Sequence, residues 1–114
     1  MQTPQPDSEA FPLAAGPDAT VLRLLVRNHP GVLSHVSGLF ARRAFNVDGI
    51  LCLPVEGGAR SAILLLVRAD GRLDQLVRQL DKLEDVLHVA PSPGDRRAFE
   101  AVAGLLDGRA AAAS

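Results

Sequence analysis

The residues best suited to chemistry in this chain fall together in Arg27-Asn28-His29-Pro30-Gly31-Val32. Asn28 offers an amide that donates and accepts, His29 can gain a proton near neutral pH, and Gly31 lets another molecule approach the backbone with no Cβ in the way. The segment lies between two periodic stretches. Val21 to Val26 is an apolar, strand-like run, whereas Val32, Val36, Leu39 and Phe40 recur at i, i+4, i+7 and i+8, one stripe of a helix. At such a turn Pro30 suits the first helical position, where its lack of an N–H costs nothing. Free N–H groups and the positive end of the helix dipole then favour an anion such as a carboxylate. A plain connection would use the same residues. Asn28 can cap the helix or shape the turn, and His29 can be a pH-sensitive contact or a solvated loop residue.

Elsewhere the chain offers little for catalysis. No Ser/His/Asp set, carboxylate pair or metal-ligand spacing stands out. His35 and His88 are far apart along the chain and read as structural or surface residues. Cys52, the single cysteine, reads as a small buried hydrophobe on a strand. Arg42 and Arg43 suit a helix C-terminus, and either could meet a partner. The net charge of −1 recommends neither nucleic acid nor an anionic membrane as partner, and no apolar run approaches the ~20 residues of a membrane span. With no basic start followed by an apolar segment, no secretory signal is read at the N-terminus, and a reducing cytoplasm is expected.

The elements that must position the loop follow from periodicity. Residues 1–18, punctuated by Pro4, Pro6, Pro12 and Pro17, read as a flexible leader. Strand one is expected over Thr20 to Arg27, helix one over Gly31 to Ala44, strand two over Val47 to Val55 and strand three over Ala59 to Arg68, the last two joined by a tight turn at Glu56-Gly57-Gly58. Helix two is expected over Gly71 to Leu83 with Asp70 as N-cap, and strand four over Asp85 to Ala90. Pro91-Ser92-Pro93-Gly94 should break the chain ahead of an amphipathic helix carrying Phe99, Val102 and Leu106, so 91–114 is a linker and tail. The order β-α-β-β-α-β is the split βαβ pattern of an α+β, ferredoxin-like domain over 19–90: a four-stranded antiparallel sheet with two helices on one face. Strands two and three are apolar at nearly every position, so one set of their residues should face away from the helices. A partner, the leader or the C-terminal helix could cover that set.

Four blocks of sequence carry a closer resemblance: Val26 to Val32; Gly38-Leu39-Phe40-Ala41-Arg42-Arg43-Ala44-Phe45-Asn46-Val47; Gly49 to Pro54; and Asp81-Lys82-Leu83-Glu84-Asp85-Val86. Together they make residues 19–90 resemble an ACT domain, a ligand-sensing ferredoxin-like module, and more narrowly the small regulatory subunits of acetolactate synthase (acetohydroxyacid synthase). The chain's length resembles the short form of that family, associated with isozyme I, in which the ACT domain and a short tail make up the subunit. The Pro-rich leader departs from it.

The resemblance implies a non-catalytic subunit that activates the catalytic large subunit and confers feedback inhibition by a branched-chain amino acid, valine first, with leucine or isoleucine as alternatives. It implies a homodimer with an effector site between two ACT domains. Asn28, Gly31, Val32 and Leu33 would come from one chain, and Asn46 and Val47 from the other. No cofactor is implied for this chain; thiamine diphosphate, Mg²⁺ and FAD would belong to the catalytic partner. The alternatives are a free-standing ACT-domain amino-acid sensor of another enzyme and an acylphosphatase-like enzyme. Arg27-Asn28 suits the latter only superficially, since the rest of that anion loop is missing. An RNA-binding module of this fold would need aromatic residues on its central strands, and the chain has no Tyr or Trp.

Overall fold

The computed structural model describes residues 16, 18–43, 45–68 and 70–106. Most of the proposed leader and the alanine-rich end at 107–114 lie outside these residues. The element order is β1 (Ala19–Arg27), α1 (Val32–Arg42), β2 (Val47–Val55), a one-turn 3₁₀ segment (Glu56–Gly58), β3 (Arg60–Arg68), α2 (Leu73–Asp81), β4 (Val86–Pro91), a second 3₁₀ turn (Pro93–Asp95) and α3 (Arg96–Leu106). The strands form one antiparallel sheet in the order β2-β3-β1-β4. This is the expected ferredoxin-like architecture, with β1 and β3 central and β2 and β4 at the edges.

Cross-strand partners share a face, so the register divides the apolar residues in two. Leu22, Leu24 and Val26 of β1 and Ile63, Leu65 and Val67 of β3 point towards α1 and α2. There they pack with Val32, Val36, Leu39, Phe40, Leu76 and Leu80 into the main core. Leu64 and Leu66 pair with Leu51 and Gly49 and face the other way. The register slips between Val47 and Gly49. That irregularity turns Val47 to the helix side, where it packs against the main core, while Gly49 stays on the opposite side.

α3 lies on this second face. Phe99 is buried there with Ala19, Val21 and Leu66, and its ring passes so close to Gly49 that a Cβ on Gly49 would meet it at 2.8 Å. Polar contacts hold the helix entry. Asp95 receives Arg23 through both carboxylate oxygens, at 2.8 and 3.0 Å, and accepts the Ser92 hydroxyl at 2.6 Å, while the Ser92 N–H donates to the Val21 carbonyl. The Ser92 hydrogen bond, followed by the Arg23 contact, holds the Asp95 carboxyl below its ordinary pKa. Arg96 donates to the Gly16 and Ala19 carbonyls, tying the start of β1 to the start of α3. The other half of the face stays open as a groove of about 560 Å³ lined by Leu25, Leu51, Leu53, Val55, Leu64 and His88, among others. Self-cover and exposure thus divide the face between them.

Several expectations are corrected. Pro30 is not the first helical residue; Gly31 is the N-cap, at φ 87°, and the helix starts at Val32. Asp70 does not cap α2. Its carboxylate accepts the Arg72 N–H at 2.8 Å, which closes a turn, and the helix begins after Arg72, two residues later than expected. Strand four extends through Pro91, which an edge strand tolerates. Cys52 is exposed rather than buried. It pairs with Ile63 on the helix side, but β2 is an edge strand, and Ile50 beside it is also exposed.

Candidate functional site

The β1–α1 loop is built from the backbone outward. Gly31 takes the left-handed conformation that allows the chain to turn from strand into helix, a conformation costly for most other residues. The His29 carbonyl accepts the Val32 N–H at 3.3 Å, and the Gly31 carbonyl accepts that of His35 at 3.0 Å. By helix geometry the N–H groups of Leu33 and Ser34 have no intrahelical carbonyl, and they carry the positive end of the α1 dipole. Nothing lies within 4 Å of the space a Gly31 side chain would fill. The loop therefore presents donors beside open space, an arrangement suited to a carboxylate.

Both sides of the loop are fastened. The Asn28 side chain donates to the Gly58 carbonyl at 2.7 Å, and its backbone N–H donates to the Ala59 carbonyl, binding the loop to the β2–β3 turn. Turn-shaping is thus a real role of Asn28, and its Oδ1 stays an acceptor. On the other side His29 Nε2 contacts the Asp85 carboxylate at 2.5 Å, and Nδ1 meets the Pro30 carbonyl at 2.6 Å. His35, one turn into α1, brings Nδ1 to 3.8 Å from the same Asp85 oxygen. The sequence suggested no histidine grouping, yet Asp85 gathers two of the three histidines. The backbone hydrogen bond to Pro30, followed by that to Asp85, raises the His29 pKa above its ordinary 6.5. Asp85 was legible only as the start of a strand; its partners are brought to it by the pairing of β1 with β4.

The implied site residues are not brought together within one chain. Asn28, Gly31 and Leu33 stand at one end of the sheet and are exposed. Val32 points its side chain into the core, so only its backbone faces the loop. Asn46, exposed, and Val47, half-buried, stand at the other end, because Val47 pairs with Val67, which also pairs with Thr20 at the start of β1. The length of β1 separates the two groups by roughly 25 Å at ~3.3 Å per residue. Beside Asn46, Phe45 packs edge-on to Phe40, with centroids 6.4 Å apart, and lies under the Arg72 guanidinium at 4.3 Å. Among the described residues no group of His, Cys, Asp and Glu could hold a metal ion, and no helix is long and apolar enough to cross a membrane.

Comparison with known proteins agrees with this architecture. Residues 22–88 match the family model described as the AHAS small subunit-like ACT domain. The chain belongs to the acetolactate synthase small-subunit family. The chain is 56% identical over 86 residues to the acetolactate synthase isozyme 1 small subunit of Escherichia coli K12, covering 75% of this chain and 90% of that one. It is 40% identical over 74 residues to a probable acetolactate synthase small subunit of Methanothermobacter thermautotrophicus, covering 64% of this chain and 44% of that protein. The crystal structure of the Thermotoga maritima acetolactate synthase small subunit superposes with a TM-score of 0.59 at 35% identity, over 64% of this chain and 46% of that one. This chain therefore spans most of the E. coli subunit but about half of the other two. The ACT domain of the Chlorobium tepidum GTP pyrophosphokinase, at 17% identity and a TM-score of 0.53, shares the fold.

Proposed function

We propose that this chain is the non-catalytic regulatory subunit of acetolactate synthase: it binds the catalytic large subunit, raises its activity, and transmits inhibition when valine fills a site shared by two copies of the chain. Thiamine diphosphate, Mg²⁺ and FAD belong to the catalytic partner in this reading, and the cytoplasm is the compartment where they meet. The observation that carries it is the placement of β2. This edge strand has Ile50 exposed on its helix side and Leu53 on the other, and such an edge invites pairing with a second strand. Antiparallel pairing of two β2 strands sets the start of one beside the end of the other. Asn46 and Val47 of one copy then approach the end of the sheet where Asn28 and Gly31 of its partner stand. Loop N–H groups would receive the valine carboxylate, asparagine carbonyls its ammonium, and Leu33 with Val47 its side chain.

Contact with the large subunit is assigned to the open groove and the outer side of α3. Phe99 is excluded from that contact because it is buried under its own helix, whereas Val102, Leu105 and Leu106 are exposed. Valine can act only through a difference in affinity for two states of the complex, a coupling of typically about 1–3 kcal/mol.

The test is reconstitution of the large subunit with wild-type or Gly31→Asp protein, assayed for acetolactate with and without valine. Because Gly31 has a positive φ, Gly31→Asn is the paired control. Asn and Asp both tolerate that backbone, and only Asp places a negative charge where the carboxylate should sit. The expected result is activation by both variants and valine resistance that is far stronger with Asp. Normal inhibition of the Asp variant would refute the site. Light scattering that shows only monomer, with or without valine, would refute the shared site.

A further inference from the structure

The His29 ring has an acceptor at each nitrogen: the Pro30 carbonyl at Nδ1 and the Asp85 carboxylate at Nε2. A neutral imidazole carries one N–H and can satisfy only one of them, whereas the imidazolium satisfies both. We propose that protonated His29 is a positioning residue for the effector loop, latching Asn28–Gly31 to the start of β4 through Asp85, so that the charge of this ring tunes effector affinity. The inference rests on the reading of the loop as the effector site. It adds a regulator of that site which does not touch the effector.

The surroundings favour the charged form. From β4's entry come the Asp85 carboxylate, only 14% exposed, and the negative charge of Glu84. From α1 comes His35, on the same Asp85 oxygen at 3.8 Å. From β1 comes Arg27, whose guanidinium donates to the Glu84 carbonyl and whose N–H donates to that of Asp85, so β4's entry is itself fixed to the sheet. The loop is thus fastened on one side independently of pH, by Asn28 to the Gly58 and Ala59 carbonyls, and on the other by a contact that depends on pH. With its pKa raised in the folded chain, the His29 latch is complete below about 6.5, the ordinary histidine value, and is lost as pH rises through the higher folded value. Releasing it frees the loop to move, and a loop that must be reordered binds less tightly.

The experiment is calorimetric titration of the full chain with valine at about pH 6 and about pH 8, a range over which valine stays zwitterionic and histidine titrates. Wild-type affinity should fall about two- to fivefold at the higher pH, the range an exposed ion pair gives. His29→Gln should abolish the difference, His35→Gln should retain it, and Asp85→Asn should move its midpoint down. A pH-independent wild type, or a His29→Gln variant that keeps the wild-type dependence, would overturn the latch. If the wild type binds no valine at either pH, the effector reading fails instead. The latch is then decided by an NMR titration of the His29 ring, where a midpoint at or below about 6.5 would overturn it.

Discussion

The two faces of the sheet are made from similarly apolar residues and end in different states. On one face Leu22, Leu24, Ile63 and Leu65 are fully buried under α1 and α2. On the other, α3 covers Ala19, Val21 and Leu66 through a single aromatic ring, and beyond that ring Leu53 is 65% exposed. The first face receives its cover from crossover connections whose handedness leaves no choice, whereas the second depends on a short helix that is secured by side chains. Stability should therefore reside on the helix side, with association and conformational response on the α3 side.

Leu24→Ala is the largest blow to the first face. It removes a fully buried side chain from the main core, and should destabilise by about 2–5 kcal/mol. A urea transition with a lowered midpoint and unchanged slope would show it. A loss as small as that of a surface change would erase the contrast between the faces.

Gly49→Ala acts on the second face. Its methyl group would press on the Phe99 ring, and overpacking of this kind typically costs about 1–3 kcal/mol. The effect should be local. Hydrogen exchange in α3 should accelerate while the amides of β1 and β3 keep their protection, and a uniform loss of protection would show that α3 is part of the main cooperative unit.

Acid should separate the faces in the same way. The folded pKa of Asp95 lies below its ordinary 3.8. Its contribution is therefore fully present above that value and is lost as pH falls through the lower folded one. α3 should loosen in that acidic range before the helix-side core unfolds, as read by exchange or by a fluorophore on α3. Asp95→Asn should remove the acid step, and its persistence would place the switch elsewhere.

The smallest effect on the isolated chain is expected from Leu53→Lys in the open groove. Its stability should stay within about 0.5 kcal/mol of the wild type, as for surface changes. Association with the large subunit, measured by co-sedimentation, should nevertheless weaken. Unchanged association would move the docking face off the groove.

Periodicity alone determined the element order of this protein, because alternation in strands and the 3.6-residue stripe in helices are local properties of the chain. β2 begins and ends at Val47 and Val55 as read from sequence, and the α1 stripe of Val32, Val36, Leu39 and Phe40 is buried as its spacing requires. The strand-to-helix loop and the two asparagines were equally legible, since residue type and position carry them. Helix starts were less so, because the Asp70 side chain closes a turn instead of capping, and Gly31 rather than Pro30 ends the loop. Only the tertiary structure decided what depends on long-range pairing: that Cys52 lies on an exposed edge, that Phe99 covers half a face, and that Asp85 meets His29. It also placed Asn28 and Asn46 at opposite ends of one sheet. Strand pairing joins residues distant in sequence, and no local pattern encodes which of them will be neighbours.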